Sequence, residues 1–484
     1  FGCFLIKAEG RADRGRLRLR VWRKSRVRDI ALTLQRRGDY APTAPYDCKK
    51  SAAIAEQALA DLAARMKDDP RKGHIIPRAI NALALLASGD KKYLPLVREQ
   101  VEILSEFNQE KGVRTWSYAY VNLFLAEYVL ATGDRRWVKK GLRRITKRII
   151  EGQSEVGSWG HDFIRGEPLR IGGYGMMNAP GIPLTYSLAL AREAGVKLHG
   201  IDEAIERSAR LLRFYVGKGS IPYGDHRPWI ETHCDNGKNE SAAVLFELLG
   251  DVDAVTYFSR MGVASHNAER DTGHTGNYFN LLWALPGIAL SGPAATGTWL
   301  EECGWYFDLA RSHDGHFGYP GAPTKKPEVY AKWDATGAYL LAYLQPRRAT
   351  FTTGKRASVA PALDEQEAAA MVDRGRGWTN ADRHSFAAKF SKEELLARLA
   401  DWSPVVRERA AIELGRRRKL AVPPELRALL KSKRIHARDG ACRALKHQRK
   451  RGAAAVADLR ETLKDQDMWI RILAAEALAG IGVP

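Results

Sequence analysis

The sequence predicts a mainly α-helical protein: a closed ring of helical hairpins, then a short helical solenoid, with a small β element at the N-terminus. Two observations carry this. The first is a set of Gly/Trp loops, best formed at Gln153-Ser-Glu-Val-Gly157-Ser158-Trp159-Gly160-His161-Asp162, with related loops at Gly112–Trp116, Gly219–His226 and Asp314–Gly321. Each feeds a helical run that ends in a second turn signal: Ser88-Gly89-Asp90, Thr132-Gly133-Asp134, Ala194-Gly195, Gly250-Asp251 or Ser291-Gly292. These signals recur about every 40 to 60 residues, the period of one helical hairpin in a repeat array. The second observation is a unit repeated near the C-terminus. Pro404-Val-Val-Arg407-x2-Ala410-x3-Leu414 matches His436-Ala-Arg438-x2-Ala441-x3-Leu445 and Trp469-Ile-Arg471-x2-Ala474-x3-Leu478, at intervals of 31 and 33 residues.

The totals agree with several domains. The chain has 484 residues, of which 45% are apolar, and single cores rarely grow beyond about 250–300 residues. No window approaches the ~18 apolar residues of a membrane span. The first residue is Phe1 rather than Met, so the expectation is a fragment, and the absence of a signal peptide decides nothing. The compartment stays open. The net charge of +21 is uneven: residues 1–45 hold 12 basic and 4 acidic residues, residues 346–484 hold 29 and 17, and the remainder holds 36 and 35. The basicity therefore belongs to the two ends, where solvated Arg-rich faces account for it without an anionic partner. Five scattered cysteines (Cys3, Cys48, Cys234, Cys303, Cys442) make neither a disulfide framework nor a structural zinc pattern.

In order along the chain, residues 15–21 alternate apolar and basic with period two, and Val27, Ile30, Leu32 and Leu34 follow a Lys24-Ser25 turn; this is a hairpin spanning 1–40. A linker occupies 41–50, with Pro42 and Pro45 restricting the backbone. Ser51 stands at a helix-cap position ahead of Ile54, Leu59, Leu62 and Met66. Runs such as Ile80-Leu83-Leu86, Val121-Phe124-Leu125-Val129 and Leu281-Leu282-Leu285 carry a 3.6-residue period through 51–345, enough for five or six hairpins. A polar, Arg- and Ala-rich connector with one short helix near 364–372 fills 346–390, and three solenoid units fill 391–484.

Several resemblances follow from these residues. The Gln-x3-Gly-x-Trp loop is similar to the repeat signature of terpenoid cyclases and protein prenyltransferases, which implies an α/α toroid over 51–345. The cyclases' Asp-x-Asp-Asp motif is not present, and the prenyltransferases' Asp-x-Cys zinc pair has only the reversed Cys234-Asp235 as a counterpart. The three C-terminal units resemble HEAT repeats of the ARM type, which implies protein binding. Leu17-x-Leu-x-Val-Trp-Arg23 resembles the last strands of a PDZ domain. As a whole arrangement the chain resembles an uncharacterised bacterial multidomain family frequent in planctomycete-type genomes, with Ala44–Ser51 and Lys332-Trp333-Asp334-Ala-Thr-Gly337 among the matching segments. That resemblance implies an architecture and export, without an activity.

Chemistry belongs on the loops that feed the ring, because a rigid scaffold holds them in place. Eight of the twelve histidines lie between 161 and 316. Candidate catalytic groups are His233, Asp235, His274 and Asp334, imidazoles and carboxylates being the usual parts of acid/base work. Candidate cavity-lining residues are His161, Asp162, Tyr118, Tyr174, His226, Trp229, Asn239, Asn277 and Trp333. The plainer account is that each His or Asp caps a helix or ties a turn. A zinc site would draw on His233, Cys234, Asp235 and His274, but none of these shows the i, i+4 His spacing of a helical zinc motif; no metal or other cofactor is expected. There is no G-x-S-x-G elbow, P-loop or Rossmann fingerprint. The basic runs near 414–420 and 446–451 lack interleaved aromatics, so nucleic acid is not the expected partner. Two functions remain: an enzyme acting on a glycan or an extended apolar or peptide substrate in a His/Asp-lined central cavity, or a non-catalytic protein-interaction scaffold.

Overall fold

The computed structural model describes residues 2–10, 13–110, 112, 114–164, 171, 175–271, 276–318, 332–377, 385–417 and 424–483. The chain divides into two compact units. Unit 1 comprises Phe1–Arg213, Ile221–His226 and Cys234–Val372; unit 2 comprises Phe214–Ser220, Arg227–His233 and Asp373–Pro484. The protein is mainly α-helical, and its one sheet among the described residues is a two-stranded ribbon.

Unit 1 opens with α1 (Gly2–Glu9) and the ribbon β1 (Arg16–Arg23) and β2 (Arg26–Thr33), joined through Lys24 and Ser25, both with positive φ. That is the turn geometry whose twist suits a two-residue hairpin. Among the described residues six helical hairpins follow. They are α2 (Lys49–Asp68) with α3 (Ile75–Ala87), α4 (Leu94–Ser105) with α5 (Arg114–Thr132), and α6 (Arg143–Glu151) with α7 (Asn178–Glu193). Next come α8 (Ile201–Arg213) with α9 (Lys238–Leu249), α10 (Val252–Ala264) with α11 (Gly276–Ile288), and α12 (Pro293–Ala310) with α13 (Thr336–Tyr343). The sequence places the first cap at Ser51, but α2 starts earlier. Cys48 is its N-cap, its sulfur accepting from Ser51 N, so that Lys50 in the first turn reaches Asp308.

The second helix of each hairpin is apolar on most faces. α5 is buried without a break from Arg114 to Val129, and α7 from Asn178 to Ala191, as expected of helices packed on all sides. These second helices contact one another in the order α3, α5, α7, α9, α11, α13, and α13 contacts α3 again. The contact order is cyclic. Its seam is an asparagine: Asn81 of α3 donates to Asp334 Oδ2 (3.0 Å) and accepts from Gly337 N (2.9 Å). Aromatic side chains from non-neighbouring members of this cycle meet between the helices. Trp283 Nε1 of α11 donates to Tyr120 OH of α5 (3.1 Å), Tyr120 stacks on Phe279, and Tyr186 of α7 meets Trp283 edge-on.

The Gln153 loop acts as a clamp between hairpins. Gln153 Nε2 donates to Ala204 O of α8 (2.9 Å), Trp159 is fully buried with Nε1 on Ile149 O of α6 (3.0 Å), and Gly157 has φ +86°. A Cβ at Gly157 would lie 2.6 Å from the Arg207 backbone, so no larger residue fits. Elsewhere α1 packs on α12 above a buried charge network, in which Lys50 meets Asp308 (2.7 Å) and Glu9 (3.3 Å), and Arg311 meets Glu9 (2.6 Å). Part of the stretch expected to be a connector is anchored in unit 1. The fully buried Glu127 accepts from Phe351 N and from Thr352 N and Oγ1. The helix expected near 364–372 is α14 (Glu365–Gly375).

Unit 2 stacks α15 (Lys392–Arg398), α16 (Pro404–Arg416), α17 (Pro424–Leu430), α18 (Ile435–Gln448), α19 (Val456–Thr462) and α20 (Met468–Ile481). α16, α18 and α20 pack in series, with α15, α17 and α19 alongside. Small residues at Ala410, Ala441 and Ala474 let these helices approach, and Leu414, Leu445 and Leu478 complete a common core. The repeated arginine explains itself locally. Arg407 donates to the carbonyls of Asp401 and Trp402, Arg438 to those of Ser432 and Lys433, and Arg471 to those of Asp465 and Gln466. Each arginine thus satisfies the turn before its helix. Arg407 and Arg438 also pair with Asp439 (2.8 Å) and Asp465 (2.7 Å), which links neighbouring repeats.

Candidate functional site

The loops before α3, α5, α7, α9, α11 and α13 carry most of the residues singled out in the sequence, and the structure divides them among separate groupings. At the start of α5, Trp116 Nε1 donates to His161 Nδ1 (3.4 Å), and Arg114 pairs with Asp162. Tyr118 is buried, donating to Asn108 Oδ1 (3.1 Å). At the start of α9, Lys238 holds Asp235, and Asn239 accepts from Ile221 N (3.0 Å). Close by in sequence, Cys234 Sγ donates to Glu240 (2.7 Å), which Arg270 pairs from its other side (2.7 Å). Burial first, and then the Glu240 charge, push the Cys234 thiol well up.

Asp334 sits at the seam. It accepts from Arg65 Nη1 and Asn81 Nδ2 and caps α13 through Thr336 N (3.0 Å). Burial opposes its ionisation, but the charge and hydrogen bond of Arg65 outweigh that and keep the carboxyl below its ordinary range. Trp333 stacks on His74 (4.7 Å between centroids) and meets Tyr278 edge-on (5.1 Å). The Tyr278 hydroxyl is buried and has no hydrogen-bond partner among the described residues; burial and the neighbouring Asp334 charge raise its pKa well above the usual phenol range. Tyr174, His274 and the Asn277 side chain lie outside the described residues. His226 is exposed in unit 1.

His233 and Trp229 belong to unit 2. His233 is fully buried, its Nε2 2.9 Å from Ser403 Oγ, and that hydroxyl also accepts from Val406 N to cap α16. Trp229 Nε1 donates to Thr232 Oγ1 (3.0 Å). Among the described residues no group of three or more His, Cys, Asp or Glu is placed to hold a metal ion, and no helix is long and apolar enough to cross a membrane.

Unit 2 also holds a pocket of about 290 Å³. Phe386, Phe390 and Leu395 give it an apolar floor, and Arg398, Arg409 and Arg416 stand on its rim. The Arg398 guanidinium lies 3.9 Å from the Phe390 ring centroid, while Arg409 donates to the Arg376 and Glu231 carbonyls. Acidic groups in the wall are already engaged. Asp373 pairs with Arg376, Glu413 with Arg417, and Glu408 with Arg443 and His447. The sequence reading missed this pocket because its walls come from segments more than 150 residues apart, Ile230 and Ile412 among them. The available signal was Phe386-Ala-Ala-Lys-Phe390, an aromatic pair directly before the Ser391–Glu394 capping box.

Repeated helical hairpins, the last three carrying one shared arginine signature, define a helical-repeat protein. Comparison with known families agrees: residues 393–479 match HEAT repeats. Residues 51–354, well over half of the chain, match the family described as a domain of unknown function (DUF6288), and the chain belongs to that family. No curated protein matches the chain.

Proposed function

We propose that this chain is a non-catalytic protein-interaction scaffold, in which the cyclic helices of unit 1 form an α/α toroid and the HEAT repeats grip a partner. The carrying observation is the pocket of unit 2, an apolar floor under an arginine rim, the composition of a recognition surface. The state of two candidate catalytic groups supports it too. Asp235 and Asp334 are ion-paired with Lys238 and Arg65, whereas a general base must be able to accept a proton from substrate.

Panning a displayed random-peptide library on the full chain tests this. An enriched consensus should be lost with Ala387→Trp, which fills the pocket, and kept with Ala388→Trp, which is exposed and outside the lining. No enrichment, or enrichment indifferent to Ala387→Trp, sinks the proposal.

One observation favours an enzyme instead. The unpartnered Tyr278 hydroxyl beside Trp333 and Asp334 is a buried polar group that a bound glycan or peptide would satisfy. Thermal-shift screening of oligosaccharides and peptides checks this: stabilisation abolished by Tyr278→Phe supports it, and no stabilising compound counts against it.

A further inference from the structure

A second depression in unit 2 shares part of its lining with the pocket. Ile412 and Arg416 on α16 line both the pocket and a wider groove of about 880 Å³ that also touches the last residues of α18 and α20. Arg416, His447, Arg449, Lys450 and Arg451 line the groove, and among the described residues no Asp or Glu does. Three of these groups are committed: Arg416 has a partner of its own, Arg451 donates to the carbonyls of Arg417 and Gly415, and His447 lies 2.7 Å from Glu408. Arg449 and Lys450 are exposed and form no ion pair among the described residues. The apolar pocket thus shares Ile412 and Arg416 with a groove in which Arg449 and Lys450 carry positive charge that no described residue pairs.

Resting on the scaffold reading, we infer that the partner is an acidic, extended peptide segment that anchors one large apolar side chain in the pocket and lays Asp or Glu residues along the groove to Arg449 and Lys450. The apolar floor rejects a bare charge, because a charged group loses its hydration there without a partner. The acid-free groove selects carboxylates for the opposite reason, since complementary charge sets specificity and speeds association. A nucleic acid suits the arrangement less well. Among the described residues no aromatic side chain lines the groove to stack on bases, and stacking platforms are the usual complement to a basic channel for single strands.

Fluorescence anisotropy on the full chain at about 0.15 M salt decides it, with four labelled probes: a short peptide of one Phe followed by a Glu tract, the same peptide with Ala for Phe, the same with Lys for Glu, and an oligothymidylate. The Phe–Glu peptide should bind, and more weakly as salt rises. Binding should fall by about tenfold or more, about 1.4 kcal/mol, in Ala387→Trp and in the Arg449→Glu/Lys450→Glu double variant. The Ala and Lys peptides should lose as much on the unaltered chain. Equal binding of the Lys peptide overturns the inference, as does an oligothymidylate that binds more tightly than the peptide and is indifferent to Ala387→Trp. Circular dichroism melts of both variants confirm that the folded protein is being titrated. A panning consensus that depends on Ala387 but lacks acidic residues would leave the scaffold standing and this inference fallen; no Ala387-dependent binder of any sequence would remove the scaffold itself.

Discussion

The same substitution at two helical glycines should have opposite signs. Gly337 lies in α13 at the seam with α3, where an added Cβ would sit 2.6 Å from the Asn81 Cα and 2.8 Å from its N. Those are backbone atoms of a buried helix and cannot swing aside. Gly337→Ala must push α13 off α3, which costs about 1–3 kcal/mol as overpacking. It also strains the 2.9 Å bond from Gly337 N to Asn81 Oδ1, worth about 0.5–1.5 kcal/mol. A net loss of roughly 2–4 kcal/mol follows. Gly181 in α7 is also buried and helical, but its added Cβ would meet only Ser158 Oγ and the Trp159 ring at 3.9 Å, ordinary contact. There the methyl removes unfolded-chain freedom at no steric cost, and Gly181→Ala should stabilise by about 0.4–1 kcal/mol. Urea unfolding of both variants measures the signs, and hydrogen exchange at 75–87 and 336–343 locates the damage. If Gly337→Ala is neutral, or if both variants shift the same way, the close seam between α3 and α13 is wrong.

Three other outcomes are expected. Arg407→Met should cost roughly 3 kcal/mol, the low end for breaking a buried pair, since Asp439 keeps Arg443; a loss under about 1 kcal/mol in urea unfolding of the α16–α18 core would refute the arginine's role in linking repeats. His436 is pushed down to about 4 by burial and then by the Arg407 charge. Below its usual value of 6.5 the unfolded chain therefore takes up a proton that the fold refuses. Stability should be unaffected above that pH and fall by on the order of 1–2 kcal/mol between pH 6.5 and 4, after discounting for partial exposure, and His436→Gln should abolish this part of the slope. Tyr278→Phe should raise stability by up to about 1 kcal/mol by removing a buried hydroxyl that has no partner among the described residues. A fall in the melting temperature would show instead that the hydroxyl is satisfied.

Local rules made much of the fold legible. Gly133 and Gly250, both at φ +73°, close hairpins where the sequence put its turns, and the Gln153 loop is tight for the reason its glycine suggests. The arginine repeat announced the HEAT units because each arginine answers to carbonyls five and six residues behind it. Long-range partners were not legible. Nothing in the order of residues ties Asn81 to Asp334, 253 positions on, or His233 to Ser403, 170 positions on. The histidine-rich loops were legible by residue type alone; the structure adds the partners, Ser403 at the His233 ring and Arg65 and Asn81 at the Asp334 carboxylate.

The discontinuous make-up of unit 2 also bears on how the chain is synthesised. Residues 214–220 and 227–233 emerge from the ribosome before 373–484 exist. At about 5–20 residues per second, the 140 residues from 233 to 373 take roughly 7 to 28 s. For that interval the buried imidazole of His233 lacks Ser403, and the Gly217 carbonyl lacks the guanidinium of Arg407 that later caps it at 2.8 Å. The solenoid is therefore completed last, onto a strip laid down early, and an excised fragment beginning at residue 391 would leave that strip behind.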